Sequence, residues 1–85
     1  MQRLTKEEVF ALVDSLDLEV IEFERVRPHN KSEIRRKDSM QRAAFKQMVA
    51  DAFEDSHQPG GDIELRIPSS NKILVGHHDG IYWLA

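Results

Sequence analysis

The chain reads as an α+β domain in which two helices pack on a mostly antiparallel sheet, in the order α-β-α-β-β-β. Three observations carry this. Two stretches repeat apolar residues at helical spacing, and the closing third alternates apolar with polar residues at strand spacing. Asp79-Gly80 interrupts that third with a hairpin signature, because turns that match strand twist need φ > 0. The 85 residues are sized for one domain spanning 1–85, with a thin core.

Thr5 and Glu8 have the spacing of a capping box, in which each side chain satisfies an otherwise orphan backbone N–H. Val9, Leu12, Val13 and Leu16 then recur along one stripe, predicting a first helix that Asp17 ends. Leu18 to Val26 is rich in β-branched and aromatic residues and predicts a strand, with imperfect alternation that leaves room for a bulge. Pro28 to Ser32 is a turn cluster. Residues 33–37 do not choose between a loop and a short helical turn. Asp38 or Ser39 is then expected to cap a second helix reaching about Asp55, with Ala44, Phe45, Met48, Val49, Ala52 and Phe53 as its apolar arc. Ser56 to Gly61 stops it.

Ile63, Leu65 and Ile67 alternate with Glu64 and Arg66 in the next strand, residues 68–71 turn the chain into a strand over Lys72–Gly76 with its extension to His78 left open, and Ile81–Leu84 closes the set. If Asp79-Gly80 is a two-residue turn, His77 faces Tyr82 and Gly76 faces Trp83. Side chains directly opposite share a face. One face then holds Ile63, Leu65, Ile67, Leu74, Ile81 and Trp83 and is the expected core. The other holds Glu64, Arg66, Ile73, Val75, His77, Tyr82 and Leu84, and its apolar members form an expected contact patch unless a helix or the Leu18–Val26 strand covers it. An odd-length loop would reverse the faces of one strand.

Charge is strongly segregated. Residues 25–46 hold Arg25, Arg27, Lys31, Arg35, Arg36, Lys37, Arg42 and Lys46 against Glu33 and Asp38, a formal +6. Residues 1–24 carry −5 and residues 47–85 carry −4, for a net charge of −3. A positive band on an acidic protein suits a negative partner. Arg35, Arg36 and Lys37 would sit at the unfavourable, positive end of the second helix dipole, which leaves them in water or on an anion. The residues expected to touch a partner are therefore Arg35, Arg36, Arg42 and Lys46 as polar contacts, with Ile73, Val75 and Tyr82 as apolar ones.

The function expected from this layout is a small non-enzymatic binding module, a regulator, inhibitor or immunity-type protein that occludes a partner with an acidic surface, with a homodimer through the strand face as a further possibility. Nucleic-acid binding through residues 25–46 is the alternative. Against it stand the acidic pI near 5.7 and the lack of a Phe, Tyr or Trp interleaved with the basic residues from Arg25 to Arg42. The acidic run Asp14, Asp17, Glu19, Glu22 and Glu24, continued by Asp51, Glu54 and Asp55, offers carboxylates to a basic partner in turn.

No catalytic site, cofactor or metal is expected. With no cysteine, thiol catalysis and thiolate zinc sites are excluded. His77-His78-Asp79 has the side chains of a metal or acid–base site, but strand neighbours point to opposite faces, so two adjacent histidines poorly share one ion. The N-terminal residues lack an apolar signal core and no apolar run suffices for a membrane span, which makes the cytoplasm the expected location.

Overall fold

A computed structural model describes residues 1–68 and 70–85. It shows an α+β fold with two helices and a six-stranded antiparallel sheet. The elements in chain order are β1 (Gln2–Leu4), α1 (Lys6–Ser15), β2 (Val20–His29), β3 (Ser32–Gln41), α2 (Arg42–Asp55), β4 (Asp62–Arg66), β5 (Ile73–Gly76) and β6 (Tyr82–Leu84). The strands lie in the order β1-β6-β5-β4-β2-β3. The expected order lacked β1 and β3.

Helix α1 starts as its sequence predicts. The Thr5 hydroxyl accepts from the Glu8 N–H at 3.1 Å, and the Glu8 carboxylate accepts from the Thr5 N–H at 2.9 Å. Such a cap stabilises a helix by about 1 kcal/mol. At its end Asp17 takes the left-handed conformation, φ 52°.

The imperfect alternation of β2 does not produce a bulge: ten consecutive residues pair with β3, from Val20 opposite Gln41 to His29 opposite Ser32. The turn shrinks to Asn30-Lys31, with Asn30 at φ 55°. Pro28 is tolerated inside β2 because β4 reaches only as far as Val26 on that side, so no partner lacks its N–H. The segment left open at 33–37 is strand, and α2 begins at Arg42, not at Asp38 or Ser39. Gln41 gives α2 no side-chain cap; the Arg42 N–H instead reaches the Glu19 carbonyl at 2.7 Å, extending the β2–β3 ladder.

Both helices cover one face of the sheet. The core joins Val9 and Val13 of α1 and Phe45, Val49 and Ala52 of α2 to Leu4, Ile21, Phe23, Ile63, Leu65, Leu74 and Tyr82 from the strands. Phe45 meets Phe23 edge-on at 5.2 Å between centroids, and Phe53 stacks on Tyr82 at 5.4 Å. Aromatic pairs of this kind add about 0.5–1.5 kcal/mol beyond burial.

The hairpin between β5 and β6 departs from expectation by one residue. His77 and Ile81 bracket a three-residue loop, with the His77 N–H on the Ile81 carbonyl at 2.8 Å. Gly76 therefore faces Tyr82, and Val75 faces Trp83. This turns Tyr82 into the core, where it is 0% exposed, and moves Ile81 and Trp83 to the opposite face. Gly76 makes that exchange possible: a Cβ there would lie 2.6 Å from the Tyr82 ring. The preceding turn, expected at residues 68–71, includes Ser69, which lies outside the described residues. Its flanks pair as predicted, Leu65 with Leu74, and the Ile67 N–H on the Lys72 carbonyl at 3.0 Å.

Candidate functional site

The face of the sheet turned away from the helices is the place to look for contacts. Alternation puts Ile73 and Val75 of β5 and Trp83 of β6 on it, with Ile81 beside them at the end of the loop. All four are half-buried, and none belongs to the helix-side core. They form one apolar strip across two adjacent strands. Arg3 of β1 stands opposite Trp83, and Arg66 of β4 stands opposite Ile73, so a cation borders the strip on each side. Both arginines are exposed and neither has an ion-pair partner among the described residues. Glu64 of β4 stands opposite Val75, so a carboxylate held by Arg35 borders the strip beside Arg66. Glu22, Glu24 and Glu64 share a shallow depression of about 760 Å³ with Lys37, Ser39 and Arg66.

The basic band does not act as one surface. Arg35 lies opposite Val26, and its stem runs across that side chain to reach Glu64 on the far side of β2. Its two terminal nitrogens contact the two Glu64 oxygens at 2.8 and 3.3 Å, and its Nε donates to Glu33 at 3.2 Å. This clamp explains why Val26 is only 6% exposed on a face with no helix above it. It also offsets the like-charge contact of Glu24 directly opposite Glu64. The hydrogen bond to Glu64 raises the Arg35 pKa further above its already high value.

Arg42 and Lys46 are on the helix side, away from the strip. The Arg42 Nε donates to the Leu18 carbonyl at 2.8 Å, and its guanidinium lies 3.8 Å from both Asp14 and Asp17. The Lys46 ammonium sits 2.9 Å from Asp14 and 5.0 Å from the Phe10 ring centroid. These contacts tie the start of α2 to α1 and to the β2 entry. Of the residues expected at a partner interface, Arg35, Arg42 and Lys46 are thus engaged within the fold, and Tyr82 is buried. Arg36 is exposed and has no ion pair among the described residues, and Ile73 and Val75 lie on the uncovered face.

Arg25 is engaged as well. Its Nε donates to Asp38 at 2.7 Å, another nitrogen donates to the Pro59 carbonyl at 3.1 Å, and its charge lies over the Phe23 ring. Asp38 also accepts the Ser39 N–H at 2.8 Å. The Arg25 hydrogen bond, helped by that N–H, holds the Asp38 carboxyl below its ordinary pKa. A depressed folded-state pKa stabilises the fold above the unfolded value of 3.8, and the contribution fades as pH falls through the folded one. Asp38→Asn is therefore expected to flatten the loss of stability below pH ~4, measured by urea unfolding across an acid series.

The histidine cluster has a structural arrangement. His78 has left the strand for the loop, so both imidazoles approach one carboxylate: Asp62 accepts the His78 N–H at 2.7 Å, with the His78 and His77 Nδ1 atoms at 3.2 and 3.7 Å. Asp79 accepts the Ile81 N–H at 3.3 Å inside the loop. Among the described residues no group of three or more metal-binding side chains converges, and no helix is long and apolar enough to cross a membrane.

Sequence reasoning placed Trp83 and Ile81 in the core and so missed the centre of the strip. The signal was Gly80, which serves a three-residue loop with its last position left-handed as well as it serves a two-residue turn. No protein-family model, curated protein or solved structure matches this chain.

Proposed function

We propose that this protein is a non-enzymatic binding module of the cytoplasm that occludes a surface of another protein through the uncovered face of its sheet. The observation carrying the proposal is the strip of Ile73, Val75, Ile81 and Trp83, contiguous and left outside the core by helices that cover only the other face. Aromatic and aliphatic anchors ringed by polar groups are the usual energetic centre of protein interfaces. Arg3 and Arg66 at its borders favour a partner with an apolar centre and an acidic rim, steering encounter and fixing register. Residues 25–46 give less support to nucleic acid as the ligand. Four of their eight cations are engaged inside the fold, and no Phe, Tyr or Trp stands among the other four.

Trp83→Glu is the discriminating variant. It faces Arg3, so the new carboxylate has a cross-strand counter-charge and the fold should persist. Affinity capture from the native cytosol is expected to recover a defined partner with wild type and to lose it with Trp83→Glu, a weakening of about 30-fold or more for a central anchor. Light scattering on the same pair shows whether the captured partner is a second copy. Retention of the partner by a folded Trp83→Glu protein would rule the strip out.

A further inference from the structure

The two edges of the sheet are unequal. β1 closes one side with three residues, whereas β3 presents ten residues on the other with no strand beyond it among the described residues. The Arg42 N–H on the Glu19 carbonyl fixes the alternation along β3: even-numbered residues point their backbone groups at β2. Glu33, Arg35, Lys37 and Ser39 point theirs outward. Ser39 is already satisfied, because its N–H donates to the Asp38 carboxylate. The open run of donors and acceptors is therefore Glu33 to Lys37, and every residue of that run is exposed.

The charge around this run is not neutral either. Among the described residues, the cations of the band left without an ion pair are Arg27, Lys31, Arg36 and Lys37, and all four belong to the β2–β3 ribbon. Arg36 and Lys37 project from opposite faces of the open edge itself. Charged residues on an edge strand ordinarily repel a second edge. Here they discriminate by sign: any two-fold pairing of β3 with itself centred on residues 35 to 37 sets a cation opposite its own copy, a destabilising arrangement. A strand carrying carboxylates meets the reverse situation. Its backbone can complete the free ladder while its side chains lie beside Arg36 and Lys37.

We infer that the β3 edge, over Glu33 to Lys37, accepts an extended acidic segment of another protein as a seventh strand. Backbone pairing supplies the affinity, and the two unpaired cations select the sign of the ligand. The Asp38 carboxylate, seated on the Ser39 N–H, ends the docking run and would repel an acidic strand that slid past it. This surface is separate from the apolar strip, so the two can fail independently.

The test uses a capped peptide alternating glutamate with threonine, and a lysine–threonine peptide as control. Titration into the isotopically labelled full chain should shift Glu33 to Lys37, and amide exchange at Arg35 and Lys37 should slow by roughly tenfold or more, the sign of new backbone pairing. The lysine peptide should do neither. Lys37→Ala removes one charge and is expected to weaken binding about threefold. Lys37→Pro removes the same charge and the outward N–H, at an edge position where proline is tolerated, and should abolish binding. Trp83→Glu should bind the peptide as wild type does.

Shifts without amide protection, or equal losses for Lys37→Ala and Lys37→Pro, would reduce the contact to side-chain charge and overturn edge pairing. Tighter, steeply salt-dependent binding of a duplex oligonucleotide to the same ribbon would assign it to phosphate instead. Protection of Arg35 and Lys37 in the protein alone, rising with its concentration, would show the edge taken by a second copy and overturn the proposal equally.

Discussion

Replacing Tyr82 by glutamate is expected to abolish folding, whereas the same change at the adjacent Trp83 leaves a folded protein. Tyr82 is fully buried, stacked on Phe53, and its hydroxyl donates to the buried Gln58 side chain. Truncating a buried aromatic residue costs about 3–5 kcal/mol in lost transfer energy and cavity. An unpaired carboxylate in that space adds several kcal/mol more, because neither burial nor protonation at neutral pH comes without cost. A domain of 85 residues has roughly 4–13 kcal/mol of total stability to lose. Circular dichroism and amide dispersion should show Tyr82→Glu unfolded at 25 °C. The milder Tyr82→Phe should remain folded but weaker by about 1–3 kcal/mol in urea, since it leaves the Gln58 amide oxygen buried without a donor. A folded Tyr82→Glu protein would place the phenol at the surface and overturn the register of β6.

That register shows where the sequence is legible and where it is not. The α1 cap, the apolar arc of α2 and the alternation of β4 are local patterns, set by residues within a few positions of one another, and each appears where its pattern puts it except at Ala44, which is exposed. Strand β3 has no such pattern. Ser32 to Gln41 includes only Ile34 and Met40 as large apolar residues, because an edge strand with neither face fully covered needs no buried stripe. Its conformation comes from ten pairings with β2, which are not local information. Strand β1 is too short to carry a period, and it exists because β6 offers it an edge.

The site follows the same division. The clustering of basic residues is visible in the sequence, but which of them remain available depends on partners far along the chain, such as Glu64 for Arg35 and Asp14 for Lys46. The sequence locates Ile73 and Val75 on the open face because the β4–β5 register it predicts, Leu65 opposite Leu74, is the one observed. The same reasoning fails for Trp83, because a single additional loop residue inverts every side chain after it.

The loop residue responsible is Gly80, and Gly80→Ala is expected to cost about 2–4 kcal/mol, the second-largest effect after Tyr82→Glu. Two contributions add. Gly80 has φ 81°, where an alanine is strained by about 1 kcal/mol. A Cβ there would also run into the Ala52 carbonyl oxygen and lie 3.1 Å from its carbon and 3.2 Å from the Ser56 Cα. These are backbone atoms at the end of α2, so no rotamer change relieves the contact, and overpacking of this kind costs about 1–3 kcal/mol. Either the loop lifts from α2 or the helix end shifts, and both disturb the Gln58 N–H bond to the His78 carbonyl at 2.7 Å. Asp79→Ala serves as the control. It removes one exposed hydrogen bond from the same loop without touching φ or α2, and should cost no more than about 1 kcal/mol. With a urea m-value near 1 kcal/mol/M for so small a protein, Gly80→Ala should lower the midpoint by about 2–4 M, against at most about 1 M for the control. Equal midpoints would mean that the loop does not press on α2, and the three-residue turn that exposes Trp83 would lose its structural basis.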